Sequence, residues 1–164
     1  MANVSGSVLW EQFSLATRNY YLLFINLYQL KHMKNLFIES LSRYDFDQTM
    51  EKLSEIILKG GWNISVILDL QASLDKSGIA VLPVKVMEVC NPNLASRILQ
   101  DSDTRIYSGM LPCKISVYEK DNGKTYLSVL NSGAFAPQIG GVVENVMNEA
   151  FSQVEKFIHQ VTEN

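Results

Sequence analysis

The chain has 164 residues, of which 47% are hydrophobic and 19% are charged, and its formal net charge is −3. This composition is typical of a folded globular protein, and the length favours one hydrophobic core rather than two. The 14 basic residues are scattered and form no cluster that would follow a phosphate backbone, so a nucleic-acid partner is not expected. Only two cysteines occur, far apart in sequence, which excludes a disulfide scaffold and favours a cytoplasmic location.

The N-terminal region predicts a long amphipathic helix over residues 8–30. Apolar residues recur there at every third or fourth position, which places them on one side of a helix. This seam consists of Leu9, Phe13, Ala16, Tyr20, Leu23, Leu27 and Leu30. Because an apolar seam needs cover, we expect contact between two such helices in a homodimer. Docking on the chain's own body is the second alternative, and attachment to a membrane surface is the third.

The most apolar run of the chain is too short to cross a membrane. It covers residues 20–30 and includes Asn26, whereas a bilayer needs roughly 20 apolar residues in a helix. A cleavable signal peptide is not expected either, because Glu11 lies in the leading region and no early basic cluster precedes it. Residues 31–35 are predicted to be a linker, and Met33 offers an alternative translation start. We therefore predict an N-terminal appendage over residues 1–32 and a single domain over residues 33–164.

The first half of this domain alternates between strand and helix patterns. A short apolar run predicts a strand over residues 36–41, and Asp45 followed by Gln48 resembles the capping box that begins a helix. A pair of glycines ends that helix. Residues 62–68 are rich in β-branched and aromatic side chains and predict a second strand, and a brief helix is predicted over residues 69–78.

The second half continues the pattern and ends with a hairpin and a helix. A third strand is predicted over residues 84–89, and Asn91-Pro92 then supplies a preferred N-cap and a proline in the first helical turn. Two alternating runs joined around Asn122-Gly123 predict a β-hairpin. Helical spacing of apolar residues predicts a last helix over residues 142–161. The expected fold class is α+β, with a mostly antiparallel sheet covered by helices in the order β-α-β-α-β-α-β-β-α.

Two short motifs carry a resemblance to a known family. They are Cys90-Asn91-Pro92, followed by Leu94 and Ala95, and Leu111-Pro112-Cys113. Over about residues 36–162 the chain resembles the uncharacterised family Domain of Unknown Function 302, whose members show a Cys-Asn-Pro step before a helix and a Leu-Pro-Cys step before a hairpin. The resemblance implies a small α+β domain whose sheet is covered by helices. It implies no established activity.

The two cysteines are the first candidates for chemistry. Cys90 ends one predicted strand and Cys113 begins another, so antiparallel pairing would bring both thiols to the same end of the sheet. One interpretation is that the N-terminus of the following helix lowers the pKa of Cys90, with Cys113 as the resolving thiol. The alternative, which we favour, is that both are small buried apolar side chains, since Cys113 alternates in phase with Ile115 and Val117.

Other catalytic or ligand-binding patterns are weak. His32 and His159 are far apart, and two thiols do not complete the four-ligand set of a zinc site, so we expect neither a metal nor another cofactor. Gly140-Gly141 lacks the lysine and the serine or threonine of a phosphate-binding loop and is better explained as a flexible helix entry. No catalytic constellation is visible, and the chain is therefore not expected to be an enzyme.

Two functions from different classes remain open. The first is a non-enzymatic module that binds a small molecule or a protein in a concavity between sheet and helices. Its predicted ligand-binding residues are Cys90, Asn91, Pro92, Leu111, Pro112 and Cys113. The second is a thiol-dependent redox protein or enzyme that uses Cys90, with Cys113 resolving the oxidised form.

Overall fold

The computed structural model describes residues 36–162, so the helix predicted over residues 8–30 and its linker lie outside the described residues. Five strands form within the described range. They are β1 (Phe37–Leu41), β2 (Asn63–Asp69), β3 (Val84–Cys90), β4 (Cys113–Glu119) and β5 (Thr125–Leu130). The α-helices are α1 (Phe46–Lys59), α2 (Leu70–Asp75), α3 (Pro92–Leu99), α4 (Ala136–Ile139) and α5 (Gly141–His159). Two 3-10 segments, Thr104–Met110 and Ser132–Ala134, complete the described secondary structure.

The strands form one sheet in the order β1-β5-β4-β3-β2, and all neighbouring strands are antiparallel. β1 and β2 lie at opposite edges, so the connection through α1 crosses the sheet, whereas β2 to β5 follow one another as neighbours. The predicted α+β class and the predicted order of strands and main helices are confirmed. The two 3-10 segments and α4 are additions that the sequence patterns did not predict.

Local signals explain where several elements begin and end. The Asp45 carboxylate accepts a hydrogen bond from the Gln48 backbone N–H at 2.8 Å and so caps α1. The Asn91 side chain caps α3 in the same manner, with Pro92 in the first turn. In the hairpin between β4 and β5, Gly123 has φ of +70°, a left-handed conformation that favours glycine, and its N–H donates to the Lys120 carbonyl. These three predictions are confirmed.

One face of the sheet carries the core. Alternation along β3, β4 and β5 turns their apolar side chains toward the helices, where they are almost fully buried. These residues are Met87, Val89, Ile115, Val117, Leu127 and Val129. Buried side chains of α1, α3 and α5 pack against them in the same cluster. The opposite face carries the alternate residues, among them Val86, Ser116 and Ser128, which are only half-buried.

Buried hydroxyl groups connect the end of β1 to α1 and to the end of α5. The hydroxyls of Ser42 and Thr49 lie 2.7 Å apart, and Thr49 also donates to the Asp45 carbonyl at 2.6 Å. The Ser42 hydroxyl donates to the Val161 carbonyl at 3.3 Å. Thr49 is fully buried, so its hydroxyl depends on these partners in place of water. The first strand is thereby fixed to both long helices.

Candidate functional site

Cys90 and Cys113 lie at the same end of the sheet, as the sequence predicted. Cys113 pairs with Val89 across the β3–β4 ladder, so Cys90 is one residue from the direct partner of Cys113. Both thiols are free. Strand alternation places Cys113 on the core face and Cys90 on the opposite face, and Cys113 packs against the buried cluster. A disulfide requires Cβ vectors that converge, which this arrangement does not provide.

The electrostatics of both thiols oppose thiolate formation. Burial raises the pKa of Cys90 above its ordinary value. Burial, and then the charge of Cys90, raises the pKa of Cys113 to about 11. This direction is opposite to the lowered pKa that the thiol-dependent interpretation needs for Cys90. At the start of α3, the backbone N–H groups of Asn93 and Leu94 donate to Asn91 Oδ1, at 3.1 and 3.4 Å.

A cavity of about 430 Å³ opens at the end of the sheet where β4 begins and β5 ends. Its walls come from α5, from the segment between α3 and β4, and from strand residues of both sheet faces. The lining residues on α5 and the segment before it are Ser132, Phe135, Val146, Met147, Ala150, Phe151 and Val154. Those from the rest of the domain are Phe37, Val86, Ile98, Gly109, Met110, Leu111, Pro112, Cys113, Lys114, Ser116, Ser128, Val129 and Leu130.

Only one of the two family-like motifs lines the cavity. Leu111, Pro112 and Cys113 line it, as predicted for a shared concavity. Cys90, Asn91 and Pro92 are not among its lining residues. They end β3 and begin α3, which in turn places Ile98 in the cavity wall. The first motif therefore contributes to the cavity only indirectly, because it begins the helix that carries Ile98.

The lining is apolar apart from four side chains. Three of them are serines, and the Ser132 hydroxyl donates to the Met147 carbonyl at 3.1 Å. The fourth is Lys114, whose ammonium group lies 3.5 Å from Glu88 Oε1 and whose side chain is 53% exposed. The lining contains no aspartate, glutamate or histidine. Its only formal charge is therefore positive and lies near solvent.

A polar cluster beside the cavity was not predicted from the sequence. On the sheet face opposite the core, Glu39 accepts hydrogen bonds from the Tyr118 hydroxyl and from Lys120, the latter at 2.6 Å. Lys120 lowers the pKa of Glu39, whereas burial and then Glu39 raise the pKa of Tyr118 to about 12. Tyr118 also interacts with Ser128, which lines the cavity. The cluster thus borders the candidate site.

Within residues 36–162 there is no group of three or more histidine, cysteine, aspartate or glutamate side chains placed to hold a metal ion. No helix in this range is long and apolar enough to span a membrane. Gly140 and Gly141, considered above as a phosphate-binding step, both have positive φ where α5 begins, which accounts for the glycine pair through backbone conformation alone.

Comparison with known proteins places the chain in a family. The model of the family described as Domain of unknown function DUF302 matches residues 38–163. The fold is similar to the crystal structure of the uncharacterized conserved protein DUF302 from Bacillus stearothermophilus, with a TM-score of 0.69 and 19% sequence identity over 77% of this chain and 98% of that chain. No curated protein matches the chain. Because the family model covers well over half of its length, this chain belongs to the DUF302 family.

Proposed function

We propose that this domain is a non-enzymatic module that binds a small, mainly apolar molecule in the cavity between the sheet and α5. The observation that carries the proposal is the cavity itself, with a volume of about 430 Å³ and a lining dominated by apolar side chains. Small-molecule sites in proteins commonly measure roughly 300 to 1,000 Å³ and combine apolar walls with a few polar groups. Size and composition both fit that class.

Burial of hydrocarbon supplies the driving force. Val146, Met147 and Val154 on α5 are nearly inaccessible to solvent, yet all three line the cavity. A ligand there exchanges water for apolar contact, which is worth roughly 0.8 kcal/mol for each methylene group buried. The half-buried Leu111 and Pro112 contribute further apolar wall from the segment before β4.

The chemistry of the lining supports binding rather than catalysis. Ser116 and Ser128 offer hydroxyl groups, but no histidine or carboxylate lines the cavity to act as their base. The thiol-dependent alternative has two observations against it, namely the raised pKa values of Cys90 and Cys113 and their placement on opposite sheet faces. We further infer a reducing, cytoplasmic setting, which two free thiols support.

The proposal is tested with a neutral fluorescent probe, N-phenyl-1-naphthylamine, which brightens in apolar surroundings. The full chain should bind it saturably with one site per chain. Ala150→Leu places three additional carbons in the cavity wall and should weaken binding at least fivefold, by excluded volume. Ala72→Leu, an exposed alanine on α2 outside the lining, is the matched control and should bind like the wild type.

A second variant at another wall of the cavity keeps the test decisive if Ala150→Leu does not fold. Cys113→Leu enlarges a lining side chain on the core face of β4 and should weaken probe binding in the same direction. Circular dichroism and the midpoint of urea unfolding establish that each variant is folded before its affinity is compared. Equal affinity of wild type, Ala150→Leu and Cys113→Leu, with all three folded, would show that the probe binds elsewhere and would refute the proposal.

A further inference from the structure

We infer that the edge strand β2 and the segment after it form a contact between two copies of this chain. The contact surface, which we name the β2 patch, consists of the exposed large apolar side chains within residues 66–82. They are Val66, Ile67, Leu68, Leu70, Leu74, Ile79, Val81 and Leu82. Eight of the 13 large apolar side chains that are exposed within residues 36–162 thus lie in one short stretch of chain. Such a concentration marks an interaction surface, whereas scattered exposed apolar residues do not.

Hydrogen bonds hold the parts of the β2 patch together. α2 begins directly after β2, so strand and helix are joined without a loop. The segment after α2 is fixed to that helix at two points. The Gln71 side chain donates to the Val81 carbonyl at 3.0 Å, and the Ile79 backbone N–H donates to the Leu74 carbonyl at 3.1 Å. Strand, helix and following segment therefore form one unit.

β2 is an edge strand with little protection against pairing with another chain. It pairs with β3 on one side, and no strand within residues 36–162 pairs with its other side. Edge strands are commonly protected by charged residues, prolines or bulges. Residues 63–68 contain neither a charge nor a proline, and the register shift between Ile64 and Val66 precedes the exposed run 66–68. The other edge strand, β1, differs because it carries Glu39 at its centre.

A second copy of the chain fits the β2 patch by charge. Antiparallel pairing of β2 with its own copy brings the same surface together across a twofold axis, so charges on the strand would meet their like. The strand has none before Asp69. The carboxylate of Asp69 lies 3.5 Å from the Lys85 ammonium group of the same chain, which balances it. Two copies can therefore meet here without opposing like charges.

The area of the β2 patch determines how strong this contact is. Its side chains are between 36% and 52% exposed. At that exposure they offer on the order of 600 Å² of apolar surface, below the roughly 800 Å² that each partner contributes to a typical stable interface. The patch by itself therefore gives a weak contact. It adds to the homodimer contact predicted for the apolar seam of residues 8–30, and a stable dimer needs both.

Sedimentation velocity of the full chain over a range of concentrations tests the contact. Leu74→Glu places a carboxylate in the β2 patch of each copy and should raise the dimer dissociation constant at least about tenfold, because burial of an unpaired charge is unfavourable. Ile106→Glu is the matched control, since Ile106 lies outside the patch and is 79% exposed, more than any residue of the patch. It should keep the wild-type dissociation constant. Equal constants for the two variants, both folded by circular dichroism, would overturn the inference.

Cross-linking with a short bismaleimide tests the position of the contact. Val66 is the central residue of β2, so antiparallel pairing of two copies brings the two Val66 positions close together. Val66→Cys should give a cross-linked dimer by intact mass. Phe37→Cys, an exposed position on the edge strand β1, should give no more than the wild type, which carries only Cys90 and Cys113.

A cross-link at Phe37→Cys without one at Val66→Cys would overturn the inference, as would a wild type that is monomeric at every concentration. The binding proposal fails or stands separately. No residue of the β2 patch lines the cavity, so Leu74→Glu should bind N-phenyl-1-naphthylamine like the wild type.

Discussion

Alkylation of Cys113 by iodoacetamide separates the packing role of the thiols from a redox role. Only the thiolate reacts at an appreciable rate. The pKa of Cys113 is raised from 9.0 to about 11, chiefly by burial. A rise of two pKa units lowers the thiolate fraction near neutral pH about 100-fold. We therefore expect Cys113 in the folded protein to react roughly 100-fold more slowly than a cysteine in the unfolded chain, and its packing against the core should slow it further.

The assay follows intact mass over time at pH 7.5 in two single-cysteine variants. Cys90→Ser leaves only Cys113, and Cys113→Ser leaves only Cys90. Each variant is also labelled in urea, which supplies its own unfolded reference rate. Because burial also raises the pKa of Cys90, that thiol should be slower than its unfolded reference as well. Labelling of either folded variant at or above its reference rate would refute this reasoning and favour the thiol-dependent function.

Three further predictions concern stability and assembly. The pKa of Tyr118 is raised to about 12, so its neutral form stabilises the fold fully below pH 10. The free energy of unfolding should therefore fall as the pH rises from 10 through 12. Tyr118→Phe should remove most of this fall when urea unfolding is measured across the same pH range. Thr49→Val removes a fully buried hydroxyl and its contact with Ser42, which keeps its bond to the Val161 carbonyl, and should lower the free energy of unfolding by about 1 kcal/mol. An unchanged midpoint of urea unfolding would contradict the role of that contact. We propose that the full chain is a homodimer and that deletion of residues 1–32 gives a monomer, as measured by light scattering. The same number of chains per particle in both proteins would exclude the apolar seam as a dimer contact.

Local sequence signals predicted those parts of the fold that depend on a few neighbouring residues. The caps at Asp45 and Asn91 and the turn at Gly123 each depend on groups within about four positions, and all three formed as expected. The segment Thr104–Met110 was missed because a 3-10 segment lacks the 3.6-residue periodicity that reveals an α-helix. The short α4 is one turn long and offers too few residues for periodicity to appear.

The site was less predictable because it depends on contacts between distant parts of the chain. The Leu111-Pro112-Cys113 motif does line the cavity, but most of the wall comes from α5 and from both faces of the sheet. The hydrogen bond between Tyr118 and Glu39 joins residues 79 positions apart, so neither sequence neighbourhood contains its partner. The sequence correctly predicts that the two thiols lie at one end of the sheet. It does not predict their opposite faces or their raised pKa values, because these depend on strand register and on burial.

Methionine methyl NMR during titration with N-phenyl-1-naphthylamine tests the binding site most directly. Met110 and Met147 line the cavity, whereas Met50 and Met87 lie in the core outside the lining. Ring currents from the naphthyl group should shift the first two methyl signals saturably and leave the other two unchanged. Single Met→Leu variants assign the four signals. Saturable binding without shifts at Met110 and Met147, or with equal shifts at Met87, would contradict the assignment of this cavity as the ligand site.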